Sequence, residues 1–426
     1  MSGDLIGVFS CTRKAGLWYN LLIMKKLNIS LLVAGLAFAG CVFSAAAETT
    51  FARDALMPFV NNGQLPGAVS ILTKPGAKEV ACVGYADVAK KRPVTVDSAF
   101  MQCSQTKGFC GVTIAILVEE GKISLDDPVA KFIPEFGNLW VDVTQKGAAA
   151  RTLVKAKNVL TVRNVMNHTG GFPFELPNFQ AMGGWSRRMP LQSVALTAAA
   201  QPLLFEPGTR VQYSNVGIDI GAAIVERVTG KRWEQFLQER VFNPLGMKSS
   251  TFWPTEAQLA THMELYGCRR GQPAFWRSCD ASMQRPFGDD RVFSSAGAGL
   301  WTTAADQLKF YTMLMNLGVG ENGARILKEE TVKNILAKST RPRGMGGYSL
   351  GLSAPEVDDE NQWFGHGGAW GTNCMVNWHK KQLKLWAVQL TGGPRPWDGP
   401  RNQAAEKFFS VKIDTAAEKA YTGRMK

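Results

Sequence analysis

Ser104-Gln105-Thr106-Lys107 places a hydroxyl and an amine three residues apart, where helical periodicity begins. That spacing on a helix sets both side chains on one side, about one turn apart. Serine is a weak nucleophile at its ordinary pKa, and a lysine desolvated in a cleft can take its proton. The N-terminus of the helix adds N–H groups where an oxyanion would form. Read alone, Ser104 serves equally well as a helix N-cap. Tyr213-Ser214-Asn215 is the single Y-x-N of the chain and stands just before a second helical pattern. A tyrosine beside a lysine can exchange protons with a serine, and an Asn can hydrogen-bond both a lysine and a substrate carbonyl. His366-Gly367-Gly368 precedes an alternating, strand-like segment whose glycines would let a substrate approach the backbone. A second H-x-G at His168 follows a predicted helix instead, so context singles out His366.

The elements that must position these residues follow from periodicity. Residues 66–85 alternate short apolar runs with Pro-Gly and Gly breaks, which predicts strands joined by a tight turn. From Ser104, the spacing of Phe109, Val112, Thr113, Ile116 and Leu117 predicts a helix ended by Gly121. Further helices are predicted over 161–167, 217–229, 233–241, 300–318 and 403–411, with Thr303-x-x-Asp306 resembling a capping box. Residues 361–391 return to strand alternation, and 171–190 and 264–293 read as long, aromatic-bearing loops. Strands at both ends with helices between them predict an α+β fold, an antiparallel sheet flanked by helices with an inserted all-α region. The α/β part is expected over about 48–102 and 300–426, and the helical part over about 103–299.

The three motifs, in this order, resemble those of the serine β-lactamase and penicillin-binding-protein superfamily. The branch is that of class C β-lactamases, D-aminopeptidases and β-lactamase-like esterases. The segments around Ser104, TVRNVMNHTGG, FEPGTRVQYSNVGIDIGAAIVERVTGK, AGAGLWTTAADQLKF and FGHGGAWGTN carry the same likeness. The resemblance implies Ser104 as the acylated nucleophile, with Lys107 and Tyr213 sharing general acid–base work. It makes Asn215 an orienting residue, has His366, Gly367 and Gly368 line the site, and assigns the oxyanion hole to the N–H groups of Ser104 and Ala369. With four His and no C-x-x-C in the chain, no metal is expected, and no cofactor either. One departure bears on substrate: the usual third motif is Lys-Thr/Ser-Gly, and His366-Gly367 supplies neither its cation nor its hydroxyl. That favours esters or peptides over β-lactams. His168-Thr169-Gly170-Gly171 replaces the usual His-Thr-Ser-Gly, a segment expected to lie outside the chemistry.

Composition bounds the rest. With 45% hydrophobic and 19% charged residues the chain falls in the globular range, which excludes disordered and collagen-like classes. The net charge of +13 comes from scattered Lys and Arg whose longest run is the three residues Lys90-Lys91-Arg92, a pattern that argues against a nucleic-acid partner. Residues 24–47 read as a signal peptide, with two lysines, an apolar run and an A-x-A site at Ala45–Ala47. Cys41 offers a less favoured lipoprotein alternative, and residues 1–23 read as an upstream extension. Residues 48–426 would then form one catalytic domain, periplasmic or secreted. Its charge would be +10, because 1–47 hold four basic residues and one acidic. Such a surface leaves envelope association open. Export would permit a Cys268–Cys279 disulfide, with separate thiols the alternative.

Three functions remain from these residues. One is an exported hydrolase of small esters, amides or D-amino-acid peptides. Another is a D,D-carboxypeptidase or class C-like β-lactamase. The third is a penicillin-binding sensor with little turnover. The partner is a small molecule or peptide in each case, and the sequence says nothing of oligomeric state.

Overall fold

A computed structural model describes residues 50–177, 189–268, 275–277, 292–393 and 395–410. A six-stranded antiparallel sheet draws on both ends of that span. α1 (Phe51–Asn61) leads into β1 (Gly67–Lys74), β2 (Ala77–Asp87) and β3 (Arg92–Pro93). α2 (Thr106–Glu119) and α3 (Asn215–Thr229) belong to the helical region that follows. α4 (Ala304–Met315) returns the chain to β4 (Phe364–Gly367), β5 (Asn373–Asn377) and β6 (Gln382–Ala387), and α5 (Asp398–Phe409) comes last. The strand order β4-β5-β6-β1-β2-β3 joins the two ends where β6 lies against β1, with Val69 opposite Ala387 and Thr73 opposite Leu383. This is the α+β arrangement the alternating patterns predict.

Burial explains the strand sequences. α4 packs on β5 and β6, while α1 and α5 pack on β2, β1 and each other. β1 (GAVSILTK) is therefore buried from Gly67 to Leu72 and reads as a continuous apolar run. β2 alternates buried and solvent-facing residues over much of its length. α2 is buried on every side from Thr106 to Leu117, packed by α3, α4-side residues such as Phe310, and β4. A helix apolar all round is a core helix rather than an amphipathic surface one. Its first turn can thus be held rigidly from several directions.

Several element bounds differ from expectation. α4 starts at Ala304 rather than Leu300, because Trp301–Thr302 forms a short strand antiparallel to Phe100–Met101. Thr303 caps the helix by accepting the Asp306 N–H at 3.2 Å. The helix expected over 233–241 is α-helical at Trp233–Leu237 and opens into a π-turn over Gln238–Phe242. α5 begins at Asp398, five residues before the predicted start, and α1 carries no strong enough local signal, having Pro58 inside it. The long segment 264–293 is not all loop: Tyr266–Cys268 pairs antiparallel with Phe275–Arg277 and parallel with Leu390–Thr391. The segments read as an upstream extension and signal peptide, and Cys279 of the expected disulfide, lie outside the described residues. Cys82, Cys103, Cys110 and Cys374 are free thiols. No helix among the described residues is long and apolar enough to cross a membrane.

Candidate active site

The first turn of α2 is built by the strand pair that precedes it. Gln102 N–H bonds Leu300 O at 3.0 Å, and Thr106 Oγ1 accepts the Leu300 N–H at 3.2 Å. A 3-10 turn over Cys103–Gln105 then leads directly into the helix. Cys103 adopts a left-handed φ of 52°, which turns the chain so that Ser104 stands at the helix entrance. Buried amides brace the turn, with Gln307 Nε2 of α4 donating to Gln102 Oε1 at 2.9 Å and Gln105 Oε1 at 2.8 Å. Ser104 itself is 7% exposed and Lys107 fully buried.

Lys107 Nζ lies 3.1 Å from Ser104 Oγ, 2.5 Å from Asn215 Oδ1 and 2.6 Å from Gly297 O. Burial pushes its pKa down to about 7, opposed by the carboxylates of Asp219 and Glu175 and by Cys103. A neutral amine has two N–H bonds and one lone pair. Two carbonyl oxygens accept the former, so the lone pair is left to the Ser104 hydroxyl. That is the geometry of a general base on a serine.

The second motif comes from the entrance of α3. Ser214 is its N-cap, accepting the Gly217 N–H at 3.1 Å, so Asn215 occupies the first helical position. Asn215 Nδ2 donates to Glu175 Oε1 at 2.5 Å, which fixes the amide with its oxygen toward Lys107. Asp219, one turn further on the same face, accepts the Gly297 N–H at 3.1 Å and so aims the Gly297 carbonyl at Lys107. The segment 173–175 clamps this entrance: Asn215 N–H bonds Phe174 O at 2.9 Å, and Ser214 Oγ donates to Pro173 O at 2.7 Å. Lys107 Nζ sits 4.7 Å from the centre of the Tyr213 ring.

The third motif is the end of β4. Gly368 must be glycine, because a Cβ there would stand 2.3 Å from Gln102 O and 2.2 Å from Thr372 Oγ1. It serves close approach to the nucleophile-bearing segment rather than room for a substrate. The Cys103 thiol, pushed up to about 12 by burial, lies against the backbone N–H groups of Trp370 and Ala369. The backbones of the first and third motifs therefore meet beside Ser104. His366 is buried, with Nδ1 2.6 Å from Gly367 O and Nε2 3.4 Å from Tyr213 Oη. Burial, then the charge of Lys107, push its pKa down to about 3, so it is neutral.

The structure thus brings Ser104, Lys107, Tyr213, Asn215, His366, Gly368 and the backbone beside Ala369 to one place. Gly367 pairs with Asn373 in the sheet. Sequence reasoning did not find Glu175, Asp219, Gln307 or Tyr348, whose Oη lies 2.9 Å from His366 Nε2. It set His168 outside the chemistry, yet the His168 ring packs on Tyr213 at 4.4 Å and Nδ1 accepts the Ser214 N–H at 3.3 Å. Of the aromatics in the 171–190 loop, Phe172 is core, while Phe174 is exposed and stacks on Tyr213 at 6.1 Å. Phe179 and Trp185 lie outside the described residues. Among the described residues, no group of three or more His, Cys, Asp or Glu could hold a metal ion.

Fold and site together define a serine hydrolase. The family model described as Beta-lactamase matches residues 52–402, and the chain belongs to that family. An uncharacterised protein of Mycobacterium tuberculosis is 31% identical over 64% of this chain and 67% of its own length. An Escherichia coli K12 protein with the provisional name D-alanyl-D-alanine carboxypeptidase is 26% identical over 68% and 69%. Among solved structures, simvastatin synthase LovD from Aspergillus terreus superposes with a TM-score of 0.68 at 20% identity, covering 83% of this chain and 95% of that one. EstCE1, described as a hydrolase with promiscuous acyltransferase activity, gives 0.65 at 19%, covering 83% and 97%. At these identities the two structures speak to the fold.

Proposed function

We propose that the chain is an exported serine hydrolase that acts on small esters, amides or D-amino-acid peptides through an acyl-enzyme on Ser104. The observation that carries this reading is the Lys107 amine, saturated by two carbonyl acceptors and turned to the Ser104 hydroxyl at 3.1 Å. In the step proposed, the Ser104 proton passes to Lys107 Nζ as Oγ bonds the substrate carbonyl carbon. The carbonyl oxygen takes the electron pair and is held by the N–H groups of Ser104 and Ala369, each worth about 3–4 kcal/mol in comparable sites. Collapse breaks the bond to the leaving group, which receives its proton from the Lys107–Tyr213 pair. Water then releases the acid by the reverse path.

Neutral acyl groups suit this site. His366 is uncharged, and the Glu175 carboxylate stands beside Asn215, so neither His366 nor Asn215 offers a fixed cation to a substrate carboxylate. The fold shared with EstCE1, described as a hydrolase with promiscuous acyltransferase activity, supports acyl chemistry at Ser104. A second reading, a D,D-carboxypeptidase or class C-like β-lactamase, has its own support in Arg395, whose Nη2 donates to Ala369 O at 3.3 Å. That guanidinium borders the third motif, and the E. coli relative's name points the same way. The third reading is a sensor that is acylated without turnover.

Turnover of p-nitrophenyl esters, a chromogenic cephalosporin and D-alanyl peptides, with labelling by a fluorescent penicillin, separates the three. The proposal expects ester turnover to exceed the rest and to vanish in Ser104→Ala. Labelling without turnover of any substrate would favour the sensor. Export rests on residues 24–47 acting as a signal peptide, and N-terminal sequencing of the periplasmic protein should begin at Glu48.

A further inference from the structure

Two tyrosine hydroxyls converge on one imidazole nitrogen. Nε2 of His366 lies 2.9 Å from Tyr348 Oη and 3.4 Å from Tyr213 Oη. On the other side of the ring, Nδ1 lies 2.6 Å from Gly367 O. A carbonyl oxygen only accepts, so Nδ1 carries the hydrogen. In a ring kept neutral by burial and by Lys107, Nε2 then offers one lone pair in the ring plane. Both tyrosines can donate to it, and the shorter contact belongs to Tyr348.

Resting on the function proposed above, we propose that Tyr348 is a positioning residue of this hydrolase. By donating to His366 Nε2 it holds the imidazole as the Nδ1–H form and prevents that nitrogen from capturing the Tyr213 hydroxyl. The Tyr213 proton then stays available to the reacting atoms at Ser104 and Lys107.

The surroundings of Tyr348 are those of a fixed donor. The side chain is buried. Its backbone is pinned by Thr340 N–H to Tyr348 O at 2.9 Å, and its own N–H bonds Ser339 Oγ at 3.2 Å. The Arg341 guanidinium lies 4.8 Å from its ring centre, itself held by Nε donating to Asn167 O at 2.7 Å. His168 packs against the rings of Tyr348 and Tyr213 at 4.5 and 4.4 Å, which spaces the two hydroxyls about His366. Among the described residues, the charged and titratable groups around the pair include Lys107, Arg341, His168 and Tyr213. Tyr348 belongs to neither the second nor the third motif, and nothing in its local sequence marks it.

A double-mutant cycle tests the coupling through Tyr213. In the wild-type background, Tyr348→Phe should lower kcat for a p-nitrophenyl ester by about tenfold, a part of the roughly 10²–10⁴ that positioned acid–base groups supply. KM should stay within about twofold. In the Tyr213→Phe background the same change should have less than about a twofold effect, because the group it protects is gone. Equal losses in both backgrounds, a change confined to KM, or no loss at all would overturn the proposal.

Nitrogen-15 NMR of labelled histidine reads the resting protein without turnover. His366 should show the Nδ1–H form with a hydrogen-bonded Nε2 in wild type and in either single variant, and lose the Nε2 bond only in the double variant. Loss of that bond in Tyr348→Phe alone would show that Tyr213 does not move in, and would sink the inference. Failure of every ester to turn over would count against the proposed function instead, and leaves the NMR result to decide this one.

Discussion

Gly297 presents its carbonyl to Lys107 Nζ at 2.6 Å, and a Cβ on Gly297 would stand 2.7 Å from the Asn215 Cβ. The second acceptor of the lysine and the first are thus packed against each other. The backbone at Gly297 is fixed in turn by Asp219, which accepts its N–H. One buried amine is held from two sides so that its third direction faces Ser104.

This arrangement predicts how activity follows pH. With Lys107 neutral above about 7 and ammonium below it, kcat/KM for an uncharged ester should rise as pH climbs through about 7. A stopped-assay pH profile between 5 and 9 checks it. A flat profile across 6 to 8 would contradict the role of Lys107 as base.

Asp219 raises the Lys107 pKa by its charge, opposing the larger effect of burial. Asp219→Asn keeps an acceptor for the Gly297 N–H but removes that charge. The rising limb of the profile should therefore move to lower pH. A shift upward would mean that the carboxylate acts on some other group.

Gly297→Ala should displace Asn215 and the carbonyl that saturates Lys107. Misplacement on the scale of 1 Å typically costs on the order of 10²-fold in rate, so kcat should fall by that order with little change in KM. Steady-state kinetics with a folded-state control by circular dichroism provides the measurement.

Gln307 donates to two buried acceptors, Gln102 Oε1 and Gln105 Oε1. Gln307→Leu orphans both, and each orphaned buried group costs about 1–3 kcal/mol. Urea unfolding should show the loss, and kcat should fall as the turn carrying Ser104 loosens.

The chemistry was legible where it is local. Ser104 and Lys107 announce themselves by one helical turn, and Tyr213 and Asn215 by flanking the Ser214 cap of a helix. Asp219, Glu175, Gln307 and Tyr348 come from distant segments and act through packing, so no periodicity marks them. The sheet's buried strands were visible as apolar runs, but Trp301–Thr302 was not, since two residues cannot show a period of two. The helix expected from Leu300 begins four residues later, at Ala304, for that reason, although Thr303 carries the cap that marks its true start. α2 shows helical spacing, yet apolar residues on every face make it a core helix, a distinction that only the packing of α3 and the sheet settles.

The central claim is that Ser104 Oγ is the atom acylated. Intact-protein and peptide mass spectrometry after rapid quenching of a p-nitrophenyl ester reaction tests it most directly. The account predicts one added acyl group, on the peptide that contains Ser104, absent in Ser104→Ala along with turnover. An acyl group on another residue, or ester turnover that persists in Ser104→Ala, would contradict it.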